Sequence, residues 1–172
     1  TDGAHAATWM EEDIYVARTD PQIAFIPDTG TTPTRHSLGG LDSESPSLAW
    51  SGSEVGAVWV NGQIRFQRYT PSGAAVGSTR QITGSVHDTR LLELAWTGSE
   101  YVLAISDDRT GSQAMHVLVF DPTGTTVSSA LQVSTAGVNT MQRSSIAWTG
   151  SKLGIVWVGG ANVYLALAGF CQ

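Results

Sequence analysis

Cysteine is almost missing from this chain of 172 residues: Cys171 stands alone, second from the end. A single thiol excludes an internal disulfide framework and a cysteine-built zinc site, and leaves either a bond to another chain or a free thiol. Lysine is as scarce, with Lys152 its one example, and charged residues make up only 14% of the chain. The arginines are scattered and the formal net charge is −6, which argues against a nucleic-acid partner, because phosphate binding needs clustered positive charge. No apolar run approaches the ~18 residues of a membrane span. The chain opens on Thr1 rather than Met, which reads as the scar of a cleaved signal peptide and hence as a secreted or cell-surface protein. Catalytic signatures are missing too: there is no G-x-S-x-G, no H-E-x-x-H, no P-loop and no dinucleotide fingerprint.

What is present is repetition. Hydrophobic residues reach 41%, glycine is plentiful at 19, and serine and threonine abound, the palette of a β-rich chain with many tight turns. The phrase AWSGSE at 49–54 returns as AWTGSE at 95–100 and AWTGSK at 147–152. Each copy sits between two short apolar runs, as in SLAWSGSEVGAVWV, and so reads as a β-hairpin around a polar turn. A third strand follows in GQIRFQRYTPSG (62–73) and QAMHVLVFDPTG (113–124), each closed by an aromatic-x-Pro-x-Gly turn. A fourth alternation, near 76–83 and 127–134, completes the unit.

Trp50, Trp96 and Trp148 are separated by 46 and 52 residues. Four antiparallel strands at such a period mark a β-propeller blade. The N-terminal segment TWMEEDIYVARTDP (8–21) aligns with VWVNGQIRFQRYTP (58–71), so the chain enters at the second strand of a blade. Its fourth strand is expected within 31–38, where Thr34-Arg35 resembles Thr79-Arg80. The C-terminal segment WVGGANVYLALAGF (157–170) stops before a fourth strand. The units are approximately 1–43 (incomplete), 44–89, 90–142 and 143–172 (incomplete). The expected fold is therefore all-β, a propeller of about 3.5 four-stranded blades per chain. Its ring is completed by a partner chain, with a homodimer giving about seven blades, or by the rest of a longer polypeptide of which this is a fragment, or closes alone as an irregular four-bladed ring. In every case Trp50, Trp96 and Trp148 are expected in the core between blades.

The pattern A-W-[S/T]-G-S-[E/K]-x-G-x-V-W, followed by I-x-F-x-R-Y-x-P-x-G, resembles the Trp-rich repeats of secreted bacterial β-propellers, a group that includes lectin-like and sialidase-like members in the broad sense. The segment DDRTGSQ (107–113) resembles the Asp-rich loop between second and third strands in such repeats. Sialidase-type propellers carry S-x-D-x-G-x-x-W boxes, and this chain has none.

Three sets of residues carry the chemistry worth testing. Trp9, Trp59 and Trp157 share one repeat position and stand beside polar turn residues, Glu12, Asn61, Gln63 and Asn162. Aromatic rings flanked by amides and carboxylates are how repeat lectins stack on sugars. The competing role is packing between blades, and Ile105 at the fourth such position favours it. Glu93 breaks the symmetry of a first strand that lines the channel, since Ser47 and Ser145 hold its equivalent positions. It is the one candidate for glycoside hydrolysis, which needs a second carboxylate, here from a partner chain. Asp107 and Asp108 share a loop suited to Ca²⁺, though the equivalent loops VNGQ and VGGAN carry no carboxylate, which favours solvated charges and no metal. His5, His36, His87 and His116 fall at non-equivalent positions and read as surface or channel residues. The functional expectation is a non-enzymatic recognition module, lectin-like, with a glycan or protein ligand. A scaffold or protein-interaction propeller, a piece of a larger surface protein, and a hydrolase subunit are the alternatives.

Overall fold

The structure, a computed structural model, describes residues 4–13, 18–27, 32–40, 43–83, 89, 91–126, 128–135 and 141–169. Those residues form fourteen β-strands and no helix, the strand content of three and a half four-stranded blades, distributed over four antiparallel sheets. The chain divides into two compact units, Thr1–Ser85 and Val86–Gln172, each holding two sheets.

In the first unit, β1 (Ala4–Asp13), β2 (Arg18–Pro27) and β3 (Thr34–Ser37) make a three-stranded sheet, and β4 (Glu44–Trp50), β5 (Val55–Val60), β6 (Ile64–Tyr69) and β7 (Ala75–Gln81) make a four-stranded one. In the second unit, β8 (Leu91–Trp96), β9 (Tyr101–Asp107), β10 (Ala114–Phe120) and β11 (Leu131–Gln132) form the four-stranded sheet. There β12 (Met141–Trp148), β13 (Lys152–Gly159) and β14 (Asn162–Gly169) form the three-stranded one. All sheets run in chain order.

The recurring phrase is a turn, and its residues explain its persistence. Ser51 Oγ accepts from Glu54 N at 3.0 Å and donates to Glu54 O at 3.0 Å. Thr97 does the same with Glu100, and Thr149 with Lys152, at 3.0–3.1 Å. The hydroxyl thus closes the loop that a backbone turn alone would leave to water. The glycine that follows takes φ of 97°, 107° and 94° at Gly52, Gly98 and Gly150, the left-handed region closed to most side chains. The tryptophan before the turn was expected in the core, yet Trp50 is 51% exposed and Trp96 and Trp148 are half-buried. It is the last residue of its strand and only partly covered: Trp148 packs at the margin of the second unit's core, and the Trp96 ring lies 4.7 Å from that of buried Tyr101.

Strand pairing sets the repeat register. Trp9 faces Gln22, Trp59 faces Arg65, Ile105 faces His116 and Trp157 faces Tyr164, so these four positions are equivalent. The first sheet therefore holds the second, third and fourth strands of a blade, and the last sheet the first, second and third. One part of the N-terminal alignment fails. Pro21 was expected in a turn like that of Pro71, but it pairs with Met10 inside β2, level with Ile64 opposite Val60. The ladder of β1 and β2 runs on to Asp13 opposite Arg18, and this longer hairpin shifts everything that follows. For the same reason His36, opposite Ile23, is the counterpart of Arg80, opposite Phe66.

The core lies between consecutive sheets of each unit. In the first, Ile23, Phe25 and Leu38 pack with Val55, Ala57, Trp59 and Tyr69. In the second, Val102, Ala104, Met115, Val117 and Val119 pack with Leu153, Ile155 and Trp157. β5, β9 and β10 are buried at every position, which is why their sequences are apolar without alternation.

Gly73 shows how tightly the Thr-Pro-Ser-Gly turn is held against the first sheet. Its carbonyl accepts from His36 Nε2 at 2.7 Å, and the His36 ring stands 5.3 Å from that of Tyr69. A Cβ built on Gly73, whose φ is +89°, would lie 2.8 Å from Phe25 Cδ2 and 3.1 Å from Thr34 Cγ2. Gly52 has a similar φ of +97° but nothing within 4 Å. Both Gly→Ala changes should cost about 1–3 kcal/mol of backbone strain. Gly73→Ala should cost about 1–3 kcal/mol more, because Phe25 must move. Urea unfolding of the two variants measures the difference, and equal losses would refute the close approach.

Candidate functional site

The sugar-stacking set separates once its members are placed. Trp59 and Trp157 are 4% and 5% exposed, each within the core between two sheets. Their second-strand position puts the rings under the neighbouring sheet, so neither offers a face to a ligand. The Trp157 ring lies 5.6 Å from that of Tyr164, at 14° between planes. Trp9 and Glu12 lie on β1, but their side chains are outside the described residues. Asn61 is half-buried and donates from Nδ2 to Gly39 O at 2.6 Å, tying the β5–β6 turn to the linker before β4. Gln63 closes that turn, its carbonyl accepting from Asn61 N at 2.9 Å. Asn162 is exposed at the start of β14. Among the described residues, Asn61 and Gln63 share one turn, Asn162 lies at the start of β14, and the buried rings of Trp59 and Trp157 give none of them an open aromatic platform.

Glu93 lies on β8 opposite Ala104 and is half-buried. Ser144 Oγ, on β12, donates to its Oε1 at 3.5 Å. Burial raises the Glu93 carboxyl above the ordinary glutamate range, and the Ser144 hydrogen bond offsets part of that rise. A raised carboxyl suits a general acid, but glycoside hydrolysis also needs a second carboxylate. The group that the structure brings to Glu93 is a hydroxyl.

The strongest charge cluster is one that the sequence only half revealed. Asp107, expected as a loop carboxylate, is fully buried at the end of β9. Arg109 grips it: Nε donates at 2.9 Å to Oδ1 and 2.7 Å to Oδ2, and its terminal Nη2 donates to Oδ2. His116, expected at the surface or in a channel, is 2% exposed. Its Nδ1 stands 3.1 Å from Asp107 Oδ1, within ion-pair reach, though neither ring nitrogen makes a well-aligned hydrogen bond. Both carboxylate oxygens are engaged by protein cations or donors, which leaves Asp107 unsuited to Ca²⁺. Asp108 beside it is half-buried. Among the described residues no group of three His, Cys, Asp or Glu side chains converges as a metal site would require.

Asp107 and His116 are shut from solvent, so the pair fastens the β9–β10 hairpin rather than meeting a substrate. Ser106 Oγ, donating to Gln113 Oε1 at 3.0 Å, fastens the same hairpin one residue earlier. Of the other histidines, His36 binds the Gly73 carbonyl and His5 is exposed on β1. His87 and Cys171 lie outside the described residues. No helix among the described residues is long and apolar enough to cross a membrane.

Desolvation pushes the Asp107 carboxyl up, but the His116 ring beside its Oδ1 and the hydrogen-bonded Arg109 guanidinium outweigh it and hold it below the usual aspartate range. A lowered folded-state pKa stabilises the fold above the unfolded value, about 3.9, and that contribution disappears as pH falls through the lower folded value. Asp107→Asn should thus cost about 2–3 kcal/mol near neutral pH, less than the ~3–5 of a fully buried pair because the Arg109 side chain is 24% exposed. The deficit should shrink as pH falls below the unfolded value of about 3.9 and the wild-type carboxylate protonates. Unfolding free energies at pH 2 to 7 test this, and a deficit independent of pH would exclude the ion pair as its cause.

Neither the family comparison nor the whole-protein sequence comparison gives a match. Solved structures do match. TolB from Acinetobacter baumannii is 20% identical, with a TM-score of 0.52 over 98% of this chain and 41% of TolB. The β-propeller domain of the trilobed protease from Pyrococcus furiosus is 11% identical, with a TM-score of 0.54 over all of this chain and 55% of that one. Acylaminoacyl peptidase from Pyrococcus horikoshii is 12% identical, with a TM-score of 0.58 over 98% of this chain and 30% of the peptidase. The chain therefore spans about a third to a half of the length of the structures it matches. The shared property is architecture: the fold of this chain is a β-propeller fold, built from sheets of three and four antiparallel strands.

Proposed function

We propose that the chain is a non-enzymatic protein-interaction module, a propeller scaffold that docks protein on the outer face of its last sheet. One observation carries this reading. Val163, Leu165 and Leu167 of β14 are 71%, 68% and 65% exposed, with Val156 of β13 beside them. Val156 pairs with Leu165, so these four side chains form one apolar patch on one face. Patches of that kind mark interaction surfaces rather than ordinary solvent-facing sheet.

The lectin-like reading, which the resemblance to secreted Trp-rich repeats suggested, receives no support from Trp59 or Trp157, because both are buried. A hydrolase reading has only Glu93 and its serine partner to draw on. The proteases and peptidase among the structural neighbours share architecture at 9–12% identity, which carries no chemistry over to this chain. Secretion or display on a cell surface belongs to the same proposal, supported by the resemblance to secreted repeats.

Trp59→Ala and Leu165→Glu test the reading together. Trp59→Ala should cost about 3–5 kcal/mol of folding stability through the void it leaves. Leu165→Glu, measured at high dilution, should leave stability within about 0.5 kcal/mol, as exposed positions do. The proposal fails if Trp59→Ala abolishes binding to an immobilised glycan while the fold stays as stable as before. It fails equally if Leu165→Glu strongly destabilises the isolated chain, since the face would then be covered from within.

A further inference from the structure

The chain shows twice, internally, how its outer blade face is meant to be covered. In the first unit, Ile23 and Phe25 of the third-strand element β2 pack on Val55, Ala57 and Trp59 of the following second strand, β5. In the second unit, Met115, Val117 and Val119 of β10 pack on Leu153, Ile155 and Trp157 of β13. The contact is the same in register. Trp59 and Trp157 are equivalent, as are Ala57 and Ile155, and Val55 and Leu153.

Carried one sheet further, the register reaches β14 on one side and β1 on the other. Tyr164 faces Trp157 as His116 faces Ile105, so Val163, Leu165 and Leu167 are the counterparts of Met115, Val117 and Val119. Those three are buried, whereas Val163, Leu165 and Leu167 are exposed. On the receiving side, β1 positions 5, 7 and 9 are the counterparts of 153, 155 and 157 by the pairing of Trp9 with Gln22. His5 and Ala7 are exposed. Ala7 holds the place of Ala57, which packs in the same cluster as Phe25 in the first unit.

Resting on the interaction reading above, we infer that the occupant of the exposed β14 face is the first sheet of a second copy of this chain, with β1 positions 5, 7 and 9 laid over Val163, Leu165 and Leu167. The contact is heterologous, donor face to receiver face. Two copies can make it reciprocally and so close as a twofold dimer. Each chain carries a net charge of −6, so association should tighten with added salt as the mutual repulsion is screened.

Light scattering on the purified chain, in reductant so that Cys171 plays no part, reads the outcome. The expected mass is twice that of the 18.2 kDa chain. Leu165→Glu and Ala7→Glu should each weaken dimerisation by about 100-fold or more, as central interface positions do, while the melting transition of the dilute protein is unchanged. Mixing the two variants is the decisive arm. Each retains one intact face, so the mixture should form a one-to-one dimer that neither variant forms alone. A mass of one chain at every concentration, or a dimer that both variants leave intact, overturns the second-copy inference. In that event the interaction proposal still stands if Leu165→Glu leaves the monomer stable, and falls with it if the monomer unfolds.

Discussion

The contact on which the structure depends is the one between the apolar stripe of a third strand and the Trp-bearing second strand of the next sheet. A sheet apolar on both faces cannot be stable in water alone, since each fully buried aliphatic or aromatic side chain contributes about 1.5–3 kcal/mol only when covered. β5, β9 and β10 are such elements, buried along their whole length. Everything local serves to bring these stripes into register. The Ser or Thr staple with its left-handed glycine sets the first hairpin of a blade. The Pro-x-Gly turn sets the far end of the third strand, where Asp121 accepts from Thr123 N and Thr125 N at 2.8 and 2.9 Å.

Polar groups drawn into this core are mostly paid off locally rather than by distant partners. Gln67 faces inward on β6 and donates to Val76 O at 3.0 Å while accepting from Thr79 Oγ1 at 3.0 Å. Asp107 has Arg109 two residues away. Among the exceptions, the indole N–H groups of Trp59 and Trp157 are buried without an acceptor. Leaving such a donor unsatisfied costs about 1–3 kcal/mol. That the same cost recurs at two equivalent positions shows that ring burial between sheets outweighs it, and it explains why Ile105, which has no N–H, serves in the third position.

Much of the architecture was legible because it is written in periodic turns. The three copies of the Ala-Trp phrase and the two Pro-x-Gly turns locate every strand of the two complete blades, since turn chemistry is local. The entry and exit of the chain at mid-blade also followed, because Trp9 and Trp157 keep the register of Trp59. The error at Pro21 arose where the β1–β2 hairpin is longer than its counterparts, a change in loop length that leaves no mark on the flanking apolar pattern. The candidate site was less legible. Fully buried strands show no alternation, so a Trp in one of them cannot be told from an exposed platform by its neighbours in sequence. His116 meets Asp107 across a hairpin, nine residues away, and the apolar run AMHVLVF around it was the one signal that this histidine is interior.

The composition of β14 is what makes its exposure meaningful. The outer strand β7, AVGSTRQ, is written for water, with six of its seven positions exposed and polar residues along its end, which is how natural sheets keep an edge from pairing with strangers. β14 is also an edge, yet its sequence NVYLALAG has no charge and no proline. Tyr164, Ala166 and Ala168 point toward the second unit's core, and the alternate residues are as apolar as those buried in β10. An edge strand composed in this way invites aggregation unless something covers it. The stripe is a blade interior standing at a surface, and the physics that buries Met115, Val117 and Val119 under the next sheet applies without change to Val163, Leu165 and Leu167.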